Sequence, residues 1–414
     1  MLKQIEKIFS VAMLFYTTGA VLPFVFGNHG TSVRVEGNVP EFALQVALHA
    51  IAFCFIAIHW RTVLRATWHA KWILALVAIA IASSAWSLDP LFTLRRSIVL
   101  LATTMYAIYF GGRFTIAEQL RLLSWTFALV VCFSFVMVIF LPQYGIAHGD
   151  YFGAWKGAFP QKNLTARAMV LAALVFYFVR PSAVRWIRWV GVAASLFLIA
   201  ESRSATGVIM AIVMIAIILL SRLAKFNLTA LFPIAIGLGT LVIGLAFLIW
   251  TDRSQLLAMV GRDSTLTGRT GLWSAILVPL LRHPWLGYGF NAFWAGMQGA
   301  SASVQLTTGW QMGHSHNGFL DLALDLGVIG VATFVTGYLV LCKRAFQIVR
   351  RVPGTASYWL CAFLCLRVLY NLDDAVILRQ DEIFWVLYAA TAVNIATAMR
   401  RRVFSEVSVI HHEF

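Results

Sequence analysis

The stretch 122–141, LLSWTFALVVCFSFVMVIFL, runs for twenty residues without a charged side chain. At about 1.5 Å of rise per residue, a helix of that length matches the hydrocarbon thickness of a bilayer, about 30 Å. Apolar runs of the same kind recur on both sides of it, at 8–27, 42–59, 72–86, 97–111, 163–179, 189–200, 204–220, 229–250, 317–341, 356–370 and 383–399. Only Glu201, Ser202 and Arg203 separate the seventh from the eighth. The whole chain of 414 residues is 60% hydrophobic and 12% charged, with a mean hydropathy of +0.81, well outside the range of water-soluble domains. These runs predict an all-α, polytopic integral membrane protein of about twelve transmembrane helices. The first run lacks a small-residue cleavage pattern and reads as an ordinary span rather than a signal peptide.

Charge placement orients the bundle. Alternate connections hold 19 of the 32 basic residues, among them Lys3, Lys7, Arg61, Arg65, Arg113, Lys343 and Arg400, against the four acids Glu6, Glu118, Glu406 and Glu413. The other connections carry 11 basic and 11 acidic residues, so the entire net charge of +15 lies on one face. Basic loops stay in the cytoplasm, which puts both termini there and leaves the neutral set outside. The basic pI then follows from topology and attraction to anionic lipid, and no basic run or nucleic-acid fold pattern accompanies it; nucleic acid is excluded as a partner. Cys54, Cys132, Cys342, Cys361 and Cys365 fall in spans or in the cytoplasmic connection, none placed for an outer-face disulfide.

Two outer connections are long: 142–162 (PQYGIAHGDYFGAWKGAFPQK) and 251–316. The chain therefore divides into an N-terminal membrane bundle of about nine spans (1–250), a large periplasmic loop (251–316) and C-terminal spans with a cytoplasmic tail (317–414). Within the large loop, GRTGLWSAILVPLLRHP (268–284) reads as an amphipathic interfacial helix with Leu272, Trp273, Ile276, Leu277, Leu280 and Leu281 on its apolar face. Trp273, Trp285, Trp294 and Trp310 share the loop, either as interfacial anchors or as platforms for sugar rings or a polyprenyl chain.

That loop ends in GHSHNGFLDLALDLGVIG (313–330), where His314 and His316 stand at the mouth of a span. A neutral imidazole there can act as a general base near pH 7. Zinc is the competing use of a His-x-His pair, but the sequence offers no third ligand at a compelling spacing, so the expected site contains neither metal nor cofactor. Asn317, Asp321 and Asp325 recur every four residues as a polar stripe, and two carboxylates in a span need partners. Arg367 and Arg167 are the candidates, either as a structural ion network or as part of a functional one. Arg203, in ESRSATG, and Arg269, opening the interfacial helix, read as lipid-head anchors or as forks for phosphate oxygens.

The order and spacing of these residues resemble the O-antigen ligase superfamily, which includes O-antigen and exopolysaccharide polymerases, with the greatest likeness to its ExoQ-like branch. His316–Asn317, nine residues, Gly327, two residues and Gly330 match the family's H-N, nine, G-x-x-G pattern. SAWSLDPLFTLRRS (84–97), GAFPQKNLTA (157–166), ESRSATG (201–207), GRTGLW (268–273) and HPWLGYGFNAF (283–293) extend the likeness over most of the chain. The resemblance implies a GT-C-like bundle in a bacterial inner membrane and metal-independent, inverting glycosyl transfer from an undecaprenyl-diphosphate-linked oligosaccharide to an acceptor hydroxyl. It implies His316 as base and Arg203 and Arg269 as diphosphate ligands. His314, Asn317, Lys162, Asn163 and Arg262 would contact substrate, and a chain-length regulator and export machinery would be partners. The family pattern assigns one histidine where this chain has two, so His314 and His316 both stay in play. Repeat-unit polymerisation and transfer of finished glycan to lipid A core are equally compatible with the spacing. A flippase or transporter would instead show inverted repeats or Gly/Pro-broken spans in matching halves, which the sequence lacks.

Overall fold

The computed structural model describes residues 1–26, 39–179, 185–223, 269–309 and 313–410. Among them every regular element is helical, and the one β-bridge joins Ile146 to Trp155. In chain order the first helices are α1 (Leu2–Thr17), α2 (Leu22–Phe26), α3 (Val39–Ile58), α4 (Trp60–Thr67) and α5 (Lys71–Ala82). They are followed by α6 (Pro90–Arg113), α7 (Ile116–Phe140), the single turn α8 (Pro142–Gly145), α9 (Lys162–Phe178), α10 (Arg185–Glu201) and α11 (Ala205–Leu223). The C-terminal part holds α12 (Arg269–Arg282), α13 (Ala302–Thr308), α14 (Gly318–Arg351), α15 (Thr355–Tyr370) and α16 (Ile383–Ile410).

Helices stand at eleven of the twelve expected spans, the ninth (229–250) lying outside the described residues. Four of them, α3, α6, α7 and α14, are long and apolar enough to cross a membrane on their own, or five spans if the bent pair α4–α5 counts as one. Helix α3 presents Phe42, Val46, Ile51 and Phe53 outward, and α7 does the same with Ile139 and Phe140. Apolar surface of that extent suits lipid rather than water, and the chain is a multi-pass membrane protein. The first expected span is shorter than the sequence suggests. Helix α1 ends at Thr17, Gly19 turns with φ +71°, and the Val21 N–H leaves the helical ladder to donate to the Ala158 carbonyl at 2.7 Å.

Helix starts follow local chemistry. Asp89 caps α6 by accepting the Phe92 N–H, with Pro90 at the first helical position, and Thr115 and Glu118 form a reciprocal capping box at α7. The loops assigned to opposite faces bond to their own kind. At the basic end, Glu6 binds Arg113 and His59 at 2.8 Å each, and Lys3 binds Glu118 at 3.0 Å. At the other end, the Trp155 N–H donates to the Glu201 carbonyl and the Trp86 indole to the Leu286 carbonyl. All the candidate chemistry lies at this second end.

Helix α14 carries the expected Gly-x-x-Gly, and its first glycine has a mechanical reason. Gly327 adopts φ 63°, ψ −164°, a conformation open to glycine and essentially closed to other residues. A Cβ there would run into the Trp285 backbone, which packs against the bend: the Pro284 carbonyl accepts the Val328 N–H at 2.8 Å and the Trp285 carbonyl the Ile329 N–H at 3.4 Å. The bend thus locks the segment 284–289 onto α14. Gly327→Ala should cost about 2 kcal/mol or more in backbone strain and clash. A thermal-shift assay in detergent is expected to show a clear fall in midpoint, and an unchanged midpoint would contradict the packing.

Candidate active site

The turn Gly313–Asn317 sits at the start of α14. Asn317 is the N-cap, its side-chain oxygen accepting the N–H groups of Phe319 (3.0 Å) and Leu320 (3.2 Å). Its side-chain oxygen is thus committed to the start of its own helix. Gly318 follows because its N–H donates to the Asn371 carbonyl at 2.8 Å and a Cβ would collide with the Asn371 amide. Between the two histidines, Ser315 is fully buried and acts as the peg of the turn. Its N–H donates to Asp321 Oδ1 (2.9 Å), its hydroxyl to the Asn317 carbonyl (2.7 Å), and its carbonyl accepts the Trp273 indole N–H (3.0 Å). His316 takes φ +54°, a left-handed conformation that costs a non-glycine residue about 1–2 kcal/mol and that this set of bonds enforces. The two imidazoles flank the peg with ring centroids 4.2 Å apart.

Asp321 is therefore paired, but not with the arginines expected. Besides Ser315 it accepts the Trp294 indole N–H at 3.0 Å, and it faces the Arg379 guanidinium at 3.5 Å. Arg367 is fully buried among the rings of Tyr388, Phe334 and Trp385, with its centre 3.8 Å from the first, and among the described residues its nitrogens have no hydrogen-bond partner. Its cation is held by aromatic faces instead of a carboxylate. Asp325 accepts the backbone N–H of Asn291.

The partner of the histidines comes from DDAVILRQDE (373–382), between α15 and α16. Asp374 Oδ1 lies 3.2 Å from His314 Nε2, while Oδ2 takes the Arg167 guanidinium at 2.5 Å. Arg167 also reaches Glu382 at 3.5 Å. Burial alone would push the Asp374 carboxyl up, but the Arg167 charge and then the His314 bond outweigh it and hold the group well below the usual carboxylate range. Glu382 has the opposite balance, burial keeping it above its ordinary value despite Arg167. The sequence carried a signal for this segment, four acids and an arginine in ten residues between two apolar runs. What it could not carry was that Asp374 meets a histidine sixty positions earlier, which also supplies the third donor that a His-x-His pair lacked in sequence.

His314, His316, Asp374, Arg167 and Asn163 line one cavity of about 490 Å³, together with Tyr370, Arg379 and Glu382. Lys162 and Arg203 form a cationic rim joined to it rather than part of its lining. The Lys162 ammonium donates to the Arg203 carbonyl (3.3 Å), the Arg203 guanidinium to the Phe152 carbonyl (3.4 Å), and the Ser204 hydroxyl to Asn163 Oδ1 (2.9 Å). Arg203 has φ +47°, at the break between α10 and α11, and is exposed. Arg269 opens α12, one turn before the Trp273 that holds Ser315; its side chain, and all of Arg262, lie outside the described residues, as does Trp310.

Helix α12 departs from the expected interfacial face. Leu272 and Ile276 are buried in a small core with Tyr288, Phe293, Val304 and Leu324, while Leu277 and Leu281 point outward. Trp273 donates to the Ser315 carbonyl of the histidine turn and Trp294 to Asp321, which holds that turn, and Trp285 alone of the described three is exposed. Residues 269–309 are thus tied to the turn that carries both imidazoles.

Two outcomes follow from the geometry. Asp321→Asn keeps an oxygen for Ser315, whereas Asp321→Ala leaves a buried N–H and an indole unsatisfied, a loss of about 2–4 kcal/mol. The thermal-unfolding midpoint in detergent should fall little in the first and sharply in the second, and equal midpoints would contradict the peg. The second outcome concerns pH. Because the folded value of Asp374 is depressed below its ordinary 3.8, its contribution to stability is complete above that pH and lost only as pH falls through the lower folded value. Arg167→Met removes the cause of the depression, so the acid limb of the activity profile should move to higher pH; an unmoved limb would contradict the pairing.

Comparison with known proteins bears on these residues. Residues 190–335 match the family described as O-antigen ligase, a segment that contains Arg203, Arg269 and both histidines but neither Asp374 nor Arg167. The chain is also 27% identical over 352 residues to the exopolysaccharide production protein ExoQ of Rhizobium meliloti (strain 1021), covering 80% of this chain and 78% of that protein.

Proposed function

We propose that this chain, which matches the O-antigen ligase family over residues 190–335 and is similar to ExoQ, polymerises a cell-surface polysaccharide by transfer from a lipid carrier. The donor is an undecaprenyl-diphosphate-linked oligosaccharide at the outer face of a bacterial inner membrane, and the acceptor is a sugar hydroxyl. One observation carries the reading: an imidazole pair backed by an arginine-clamped carboxylate opens into a cavity beside a cationic rim.

His316 removes the proton of the acceptor hydroxyl as its oxygen attacks the anomeric carbon from the face opposite the diphosphate. The new glycosidic bond forms as the bond to phosphate breaks, which inverts the anomeric centre and leaves the lipid diphosphate as product. No metal or nucleotide is required. The positive charge gained by the base is supported by the neighbouring His314, whose Nε2 faces the Asp374 carboxylate. Charge developing on the departing diphosphate is met by Arg203 and Arg269, with Lys162 and Asn163 adding phosphate or sugar contacts. The polyprenyl tail runs between helices into the bilayer.

His316→Ala is expected to abolish polymer while the protein still inserts, and Arg203→Lys, which keeps the charge but loses the planar fork, to lower yield at least tenfold. Near-normal product from His316→Ala would overturn the assignment. In a strain lacking the gene, single lipid-linked repeats should accumulate. Finished polymer on the carrier would instead indicate a ligase, and loss of outer-face repeats a flippase.

A further inference from the structure

His314, His316 and Asp374 each offer one ligand atom, and these atoms all lie within 4.8 Å of one another. Two imidazole nitrogens and a carboxylate oxygen are the donor set of many three-ligand zinc sites, which leave further positions for water. The pair already closest is near the required bite. Asp374 Oδ1 and His314 Nε2 stand 3.2 Å apart, and two ligands on a tetrahedral ion with bonds of about 2.0–2.2 Å are separated by about 3.3–3.6 Å. The other carboxylate oxygen is held by Arg167, which leaves Oδ1 turned toward His314. Ser315, pegged by Asp321 and Trp273, fixes the backbone between the two histidines. All three donors line the cavity, which gives an ion both an entry path and room for its remaining ligands.

We infer that this triad is a binding site for a borderline divalent cation of the Zn²⁺ class, and that its occupancy switches the enzyme off. The inference rests on the proposed role of His316 as base. The ion takes the place of the proton between His314 Nε2 and Asp374 Oδ1: a neutral imidazole keeps that proton by moving it to Nδ1, an imidazolium gives one up to solvent, and the ion also takes up the His316 lone pair that would otherwise accept the acceptor's proton. Catalysis itself needs no ion, so the site is regulatory. Mg²⁺ prefers an all-oxygen octahedron and does not compete.

The test uses the full chain in lipid nanodiscs, stripped with a chelator and equilibrated with zinc chloride in the absence of substrate. One zinc per chain is expected, lost in His314→Ala and in Asp374→Asn and retained when the tail histidines His411 and His412 are changed to alanine. Polymer synthesis should fall in proportion to zinc bound and return on chelation. Zinc uptake unchanged by His314→Ala and Asp374→Asn, or a zinc-saturated chain that is fully active, would overturn the inference. Uptake is read without substrate, so a chain that binds zinc in this pattern yet makes no polymer would overturn the proposed transfer alone. A chain that polymerises through His316 and takes up no zinc would overturn the zinc site alone.

Discussion

The Asp321 carboxylate, largely buried in the first turn of the long bent helix, joins three segments distant in sequence. Its oxygens receive the Ser315 N–H, the Trp294 indole and the Arg379 guanidinium. One comes from the histidine turn, one from the large outer loop and one from the loop before the last helix. A buried charge with fewer partners would be costly, so each bond constrains the others. The strained backbone of His316, the placement of both imidazoles and the seating of the outer loop all depend on this one group.

From that constraint the chemistry follows in order. The turn presents His314 and His316 toward a cavity, and the 373–382 segment closes on it from the other side with Asp374, kept ionised by Arg167. The arrangement gives a base, a group to share its charge and a carboxylate to anchor both, with cationic residues at the rim for an anionic leaving group. The same convergence of two imidazoles and a carboxylate is what lets a divalent ion compete for the base. Regulation by a metal and catalysis by a proton thus draw on one set of lone pairs.

Much of this was legible in the sequence. Apolar runs located the helices because bilayer thickness and helical rise fix their length, and some residues that charge placement put on one face do meet: Glu6 pairs with Arg113, and Trp155 of the 142–162 connection with the Glu201 carbonyl. His316, Asn317, Gly327 and Gly330 were visible as a motif. Three things were not. That Asn317 caps α14 was one, because a cap and a substrate contact call for the same amide. Arg367 looked like the partner of Asp321 because periodicity reports which residues are intramembrane, not which faces meet; an aromatic cage holds it instead. Asp374 was hidden because it reaches His314 only through tertiary packing of a loop with no motif of its own.

The most direct measurement is transfer by the purified chain alone in vesicles supplied with a defined undecaprenyl-diphosphate-linked repeat unit, without other proteins. The account predicts a ladder of lengthening lipid-linked products and one free undecaprenyl diphosphate released for each new linkage, with the anomeric configuration inverted at each step. Release of lipid diphosphate without lengthening, or linkages formed with retained configuration, would contradict it.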